Sequence, residues 1–303
     1  MNEQFTPYWE HVKGQTYCMV LDYCRIPVYM LDGNRAIMLD TGYSTSEQDI
    51  LRLLDEKNLT VTAILTTHVH PDHNGNHVVL REKFGCKIYM TPFAAASCTD
   101  ALSMYSNFGG RAGYHRLKID KRRFFTTDVI IPWADGKITV DGVTFEVLTT
   151  GGHCVEHICF ITPDNVAYLG DALQSANIMR YRRLTYSTGL EADIESQKKI
   201  AAMHCDKYIL AHNGIVEDIQ TEVRVSLEEI EKRLDVFVAQ ADTPATMDEL
   251  IQRFLAQSGA DLNNKRSVHG VYFNALAFID YLVDLKRLEV IIENGFIKYV
   301  RPQ

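Results

Sequence analysis

The stretch Thr66-Thr67-His68-Val69-His70-Pro71-Asp72-His73-Asn74-Gly75 puts three histidines and one aspartate within six positions. Imidazole and carboxylate are donors that a divalent cation such as Zn²⁺ accepts. Bringing four such groups together at a buried strand end without a cation would carry a heavy desolvation penalty. The chemistry to expect is therefore metal-assisted attack by water. Further donors follow in chain order: His153 in Gly151-Gly152-His153-Cys154-Val155-Glu156-His157, Asp171 in Leu169-Gly170-Asp171, and His212 in Leu210-Ala211-His212-Asn213-Gly214. Upstream, Leu39-Asp40-Thr41-Gly42 ends an apolar run with Asp40. Several strands thus terminate in metal-capable side chains, which is how α/β sites are commonly assembled.

The elements that must position these groups can be read from periodicity. Short apolar runs at Tyr17–Leu21, Val28–Leu31 and Ala36–Leu39 predict strands, with Asp32-Gly33-Asn34-Arg35 as a hairpin turn. Helices are expected over Ser46–Lys57 and over His77–Phe84, the second stopped by Gly85. Val61–Thr66 and Lys87–Met90 read as strands. The histidine cluster between them reads as a loop, with Pro71 and Gly75 as its turn residues. His77 is expected at the surface of its helix, and His157 in the core.

Phe93–Phe125 is a long aromatic and basic segment with no clear strand, suited to covering a pocket or to a homodimer contact. A second β series runs through Asp128–Ile131, Lys137–Val140, Thr144–Leu148, Ile158–Thr162, Ala167–Leu169 and Tyr208–Leu210. Helices are expected at Ile194–Met203 and Val216–Gln240. Beyond the linker Ala241-Asp242-Thr243-Pro244, helices at Thr246–Gln257 and Gly270–Leu285 precede a hairpin, the order of a winged-helix module. The expected division is a catalytic domain at 1–240 and a winged-helix-like domain at 241–303.

The order D…H-x-H-x-D-H…H…D…H, over about residues 20–240, resembles the motifs of the metallo-β-lactamase superfamily. The tail is similar to extensions in the branch near glyoxalase II and the lactamase-like endoribonucleases. The resemblance implies an α/β fold, a four-layer αβ/βα sandwich, here with the small helical C-terminal domain. It implies two divalent metal ions, with Zn²⁺ as the first choice and Fe or Mn as alternatives. His68, His70 and His153 would hold one ion, Asp72, His73 and His212 the other, and Asp171 both. Asp40 would hydrogen-bond a ligand histidine or its loop. Gly-His-Cys-Val-Glu-His replaces the Gly-His-Ser/Thr-Pro-Gly-His of many relatives.

Such a site holds a shared water and lowers its pKa toward ~7, with Asp72 able to relay a proton. The reaction expected is hydrolysis of an ester-like or thioester bond in a small anionic metabolite. Arg180, Tyr181 and Arg182 are candidate substrate contacts, because guanidinium forks suit carboxylate or phosphate. Alternatives are an endoribonuclease, and a persulfide dioxygenase with one iron held by two histidines and an aspartate.

Bulk properties narrow the partners. The 303 residues are 46% hydrophobic and 23% charged, with net charge -8, an ordinary globular composition that disfavours a broad nucleic-acid surface. Residues 241–303 hold seven Lys/Arg against eight Asp/Glu, unlike a DNA-binding wing. Seven cysteines, an odd number without a C-x-x-C pair, fit a reducing cytoplasm. Met1–Gly14 does not read as a signal peptide, and no run approaches the ~20 apolar residues of a membrane span.

Overall fold

The computed structural model describes residues 5–107, 124–181, 184–212, 214–258, 263 and 265–303. The chain separates into two compact units. The first comprises Met1–Thr150, Glu156–Ala172 and Met203–Glu217, and the second Gly151–Val155, Leu173–Ala202 and Asp218–Gln303. These units group the chain differently from a cut at 240/241.

The first unit contains two sheets. One runs in order β1 (Tyr8–Lys13), β2 (Thr16–Val20), β3 (Arg25–Leu31), β4 (Arg35–Leu39), β5 (Thr60–Leu65), β6 (Lys87–Met90), β7 (Val129–Ile130). Strands β1 to β4 pair antiparallel through short turns. The pairs from β4 to β7 are parallel and need crossovers. Helix α1 (Glu47–Glu56) supplies the first, and α2 (Pro71–Asn74) with α3 (His77–Phe84) the second. Two helices, α4 (Pro92–Ser97) and α5 (Ala101–Asn107), occupy the start of the segment in which no clear strand was expected. Its residues 108–123 lie outside the described residues.

The other sheet is formed by β8 (Gly136–Val140), β9 (Val143–Thr149), β10 (Ile158–Ile161), β11 (Val166–Tyr168), β12 (Lys207–Leu210) and β13 (Gly214–Val216), in that spatial order. Asp141 and Gly142, both at positive φ, make the β8–β9 turn, the backbone twist a two-residue hairpin favours. The sheets face each other across a core of Ile37, Leu39, Leu65, Phe145, Phe160, Tyr168 and Ile209, with Tyr29 edge-on to Phe145 at 5.6 Å. Alternation along β4 sends Met38 to the opposite face, where it joins Ile50, Leu53, Leu54 and Leu80 of α1 and α3. Burial on both faces explains why Ala36–Leu39 of β4 reads as a continuous apolar run.

Two sequence expectations need correcting here. The histidine cluster is not all loop: Pro71–Asn74 forms a helical turn with Pro71 at its first position, where a missing N–H is harmless. Val216, expected to open the long helix, instead ends strand β13, which completes the sheet beside β12, and the helix begins at Ile219.

In the second unit, helices α6 (Ala176–Tyr181), α7 (Leu190–Ala201), α8 (Ile219–Ala239), α9 (Met247–Gln257) and α10 (Lys265–Asp284) precede the hairpin β14 (Glu289–Glu293) and β15 (Phe296–Val300). Helix α8 starts where Asp218 accepts from the Thr221 N–H at 3.0 Å. Helix α9 starts on a reciprocal Thr246–Glu249 cap. Ile194, Leu234, Phe237, Phe254 and Phe278 share one core, in which Phe237 stacks on Phe254 at 4.6 Å. Among the described residues no helix is long and apolar enough to cross a membrane.

Candidate metal centre

Within the first unit, β4, β5, β11 and β12 all end at one place. Asp40 follows β4 in a left-handed conformation (φ 63°) and is 1% exposed. Its carboxylate accepts from four donors: Thr67 N–H at 2.8 Å, Thr67 Oγ1 at 2.7 Å, Tyr168 OH at 2.8 Å and His73 Nδ1 at 2.7 Å. The Thr67 hydroxyl gives its only proton to Asp40. Its oxygen must then accept from His68 Nδ1, 2.9 Å away. One carboxylate therefore sets the tautomers of both His68 and His73, turning each Nε2 toward the donor groups, where that of His68 meets His70 Nδ1 at 3.0 Å.

The buried Nε2 of His73 makes no hydrogen bond among the described residues. A nitrogen of this kind inside a ring of carboxylates and imidazoles fits a cation and little else. Nearby, Nε2 of His212 lies 3.1 Å from Asp72 Oδ2 and 3.2 Å from Asp171 Oδ1. His212 Nδ1 donates to the Tyr23 carbonyl at 2.7 Å, which aims Nε2 at the carboxylates. Asp72, His73, Asp171 and His212 each offer an atom within 4.8 Å of the others. His68, His70 and Asp171 meet the same distance, so Asp171 stands in both groups.

The charges respond as expected for a cation-ready site. Burial pulls His212 down, but Asp171 and Asp72 outweigh it and lift its pKa to about 10. Burial likewise opposes the charge on His73, yet Asp171 and Asp40 raise it well above its ordinary value. Burial raises Asp72, but His212 and His73 prevail and hold its carboxyl well below the usual range. Protons held this tightly by carboxylates are what a divalent cation displaces.

Asp171 is positioned through its backbone. Its N–H donates to His157 Nε2 at 3.2 Å, so the proton of this buried ring is on Nδ1, facing Thr150 Oγ1 at 2.8 Å. Gly170, at φ 51°, leaves no room for a side chain: a Cβ there would lie 2.7 Å from His157 Nε2. His157 is thus a buried core ring that touches a candidate ligand.

His77 departs from the expectation of a surface residue. It is fully buried, with Nδ1 2.8 Å from Thr41 Oγ1 and Nε2 2.7 Å from Thr66 Oγ1. Burial, helped by Arg81 and His73, lowers its pKa to about 3, so the ring is neutral. The inner face of α3 has to close over β5, and two threonine hydroxyls satisfy both nitrogens there.

His153 belongs to the second unit, where it is buried with its ring 5.2 Å from that of Tyr186. Its segment is held tightly. The Gly152 carbonyl accepts from Thr188 N–H at 2.7 Å, Thr188 Oγ1 at 2.9 Å and Ser187 Oγ at 3.1 Å. Ser196 Oγ donates to the Gly151 carbonyl at 2.6 Å. Gly152 has φ 127°, and a Cβ on it would fall 2.3 Å from the backbone of Asp193. Burial pushes the Asp193 carboxyl up to about 7 against the hydrogen bonds of Gln197 and Ser187. Cys154, beside His153, is buried. The side chains of Arg180 and Tyr181, and Arg182 entirely, lie outside the described residues.

Sequence reasoning missed Thr67, Tyr168 and the Tyr23 carbonyl. Thr67 sits beside the cluster and was within reach of inspection. Tyr168 and Tyr23 carry no signal in a single sequence.

Two facing sheets with histidines and aspartates gathered at their strand ends define a metal-dependent hydrolase of mixed α/β fold. The metallo-beta-lactamase superfamily pattern matches residues 21–212, and the chain belongs to that superfamily. It is 28% identical over 203 residues to hydroxyacylglutathione hydrolase GloC of Haemophilus influenzae, covering 64% of this chain and 86% of that one. It is 28% identical over 265 residues to hydroxyacylglutathione hydrolase 1 of Vibrio vulnificus, covering 84% and 91%. The crystal structure of a beta-lactamase domain protein from Burkholderia ambifaria shares the fold at TM-score 0.73 and 19% identity, covering 97% of this chain and 93% of that one.

Proposed function

We propose that this enzyme hydrolyses a thioester or ester-like bond of a small anionic metabolite, using two divalent cations. The observation that carries the reading is the membership of Asp171 in two donor groups at once. We assign His68, His70 and His153 to one cation, Asp72, His73 and His212 to the other, and Asp171 to both. A full second donor group supports two cations over the single iron of a dioxygenase. The names of the relatives from Haemophilus influenzae and Vibrio vulnificus support an S-acyl substrate. Zinc is the cation we assign, from the imidazole-rich donor set.

When bound, the cations supply Lewis acidity toward the attacked carbonyl and a water-derived nucleophile at neutral pH. The chain's own groups do the rest. Asp40 holds His73 directly and His68 through Thr67, so neither ring can turn. His157 fixes the backbone of Asp171, and the Tyr23 carbonyl fixes His212. Asp72 takes a proton from the attacking water and returns it to the leaving thiolate. Arg180, Tyr181 and Arg182 bind the anionic end of the substrate. We place the protein in the cytoplasm on its cysteine usage, and read 241–303 as a winged-helix-like module.

The test is thiol release from S-acyl substrates by the zinc-loaded protein, with lactones, phosphodiesters and short RNAs in parallel. Turnover of thioesters, lost in Asp171→Asn together with bound metal, is the expected result. Cleavage of RNA alone, or full turnover in Asp171→Asn, overturns the proposal.

A further inference from the structure

We infer that Thr150 and Cys159 are positioning residues for Asp171: with His157 they close a buried circuit of hydrogen bonds around Gly170 and fix both ends of the turn that presents this carboxylate. This rests on the assignment of Asp171 to both cations above, and extends it to two side chains outside the donor groups.

The circuit starts at the backbone. Asp171 N–H donates to His157 Nε2 at 3.2 Å, which places the imidazole proton on Nδ1. That proton faces Thr150 Oγ1 at 2.8 Å, and Thr150 Oγ1 lies 3.2 Å from Cys159 Sγ. The Cys159 thiol donates to the Leu169 carbonyl at 3.5 Å. With its proton spent there, the sulfur can only accept from Thr150, whose oxygen accepts from His157. Every hydrogen therefore points one way, from Asp171 N–H round to the carbonyl two residues before it. Thr150, His157, Cys159 and Leu169 are all fully buried.

The strand register brings the members together. Ile158 and Phe160 point into the core between the sheets, so His157 and Cys159, at alternate positions, share the opposite face. Thr150 follows β9, the neighbour of β10, and its N–H donates to the His157 carbonyl at 2.9 Å. What they surround is the loosest residue of the turn. Glycine has the widest conformational freedom of any residue, and a Cβ on Gly170 would meet His157 Nε2 at 2.7 Å and Thr67 Oγ1 at 3.0 Å. The direction of Asp171 is therefore set by what holds its N–H on one side and the Leu169 carbonyl on the other. That carbonyl also accepts from Ala172 N–H at 3.0 Å. Three apolar side chains could fill this space with no polar group to desolvate. A fully satisfied polar circuit instead restricts the turn to one geometry. A carboxylate that serves two donor groups has to meet both at once, which a turn free to rotate would not allow.

The test has two readouts, both on the zinc-loaded full chain and neither using a substrate. Long-range proton–nitrogen NMR correlation is expected to find the His157 proton on Nδ1 and none on Nε2. Thr150→Val keeps the side-chain shape and removes the hydroxyl. Chelator competition is expected to show both cations released about tenfold more readily in this variant, because Asp171 serves both. Thr150→Ser is expected to restore the affinity. Cys159→Ala, which leaves Thr150 and His157 in place, is expected to act in the same direction as Thr150→Val, and replaces it if that variant does not fold. A His157 proton on Nε2 in the unaltered protein overturns the inference. Loss of stability to urea with both cations held as tightly as before also overturns it, reducing the circuit to ordinary packing. Weakened cations in a protein that turns over no thioester remove the thioester reading and leave the circuit standing. Thioester turnover with unchanged cation affinity in both variants does the reverse.

Discussion

Nδ1 of His73 lies 2.7 Å from Oδ2 of Asp40, and both side chains are 1% exposed. Asp40 also accepts two protons from Thr67 and one from Tyr168, so it holds strands β4, β5 and β11 to one point. The carboxylate is a hub that converts sheet geometry into imidazole orientation.

Asp40→Asn removes the negative charge and puts an N–H₂ where the carboxylate oxygens now accept from Thr67, Tyr168 and His73. Affinity for the cation at the second donor group is expected to fall about 10–100-fold. Competition with a chelator measures it, following metal content per chain. An Asn variant that retains both cations against the same chelator concentration as the unaltered protein would remove the hub role.

Gly152→Ala meets two obstacles, a positive φ and the Asp193 backbone 2.3 Å from the new carbon. The segment carrying His153 must shift. A loss of at least ~2 kcal/mol in stability is expected, together with the release of one cation. Ser196→Ala, which removes a single hydrogen bond to Gly151, should lose only about 1 kcal/mol. Urea unfolding and elemental analysis separate the two. Equal effects of both variants would contradict the close contact.

Asp193 gives a pH dependence. Its folded-state pKa is raised from 3.8 to about 7 by burial, so the folded protein prefers the protonated form. The stability this contributes is complete below pH ~4 and is lost as the pH rises through about 7. Asp193→Asn is neutral at every pH and escapes the loss. Relative to that variant, the unaltered protein should weaken by roughly 2–4 kcal/mol between pH 5 and pH 8. Parallel unfolding curves across this range would show that the carboxyl titrates normally.

His77→Leu removes the imidazole that both the Thr41 and Thr66 hydroxyls meet in a sealed environment, while Thr41 keeps the His73 carbonyl at 3.3 Å and the Asn76 N–H at 3.1 Å. The stranded Thr66 hydroxyl and a misshapen side chain are expected to destabilise the protein by about 1–3 kcal/mol. Metal content should be retained, because the ring makes no contact with the donor groups through its nitrogens. Loss of a cation without loss of stability would instead make His77 part of the metal site.

Much of the candidate site was legible because its chemistry is local. His68, His70, Asp72 and His73 are too close in sequence, and too costly to bury unpaired, to have an ordinary structural meaning. Helix ends were legible for the same reason: Gly85 sits at φ 69° after α3, and Asn294-Gly295 turns the last hairpin. Histidines one turn further along were not. His77 and a surface histidine have the same sequence signature, and only the closure of α3 over β5 distinguishes them.

The sequence by itself determined the donor types, their order along the chain and the strand ends that carry them, because these follow from side-chain chemistry and from backbone periodicity. The tertiary structure alone decided that residues 40, 67, 73 and 168 share one carboxylate, that Asp171 stands in two donor groups, and that residues 151–155 cluster with α7 and α8. Such relations depend on which strands become neighbours and on how their ends line up. That outcome comes from burying both faces of two sheets at once, and no local pattern contains it.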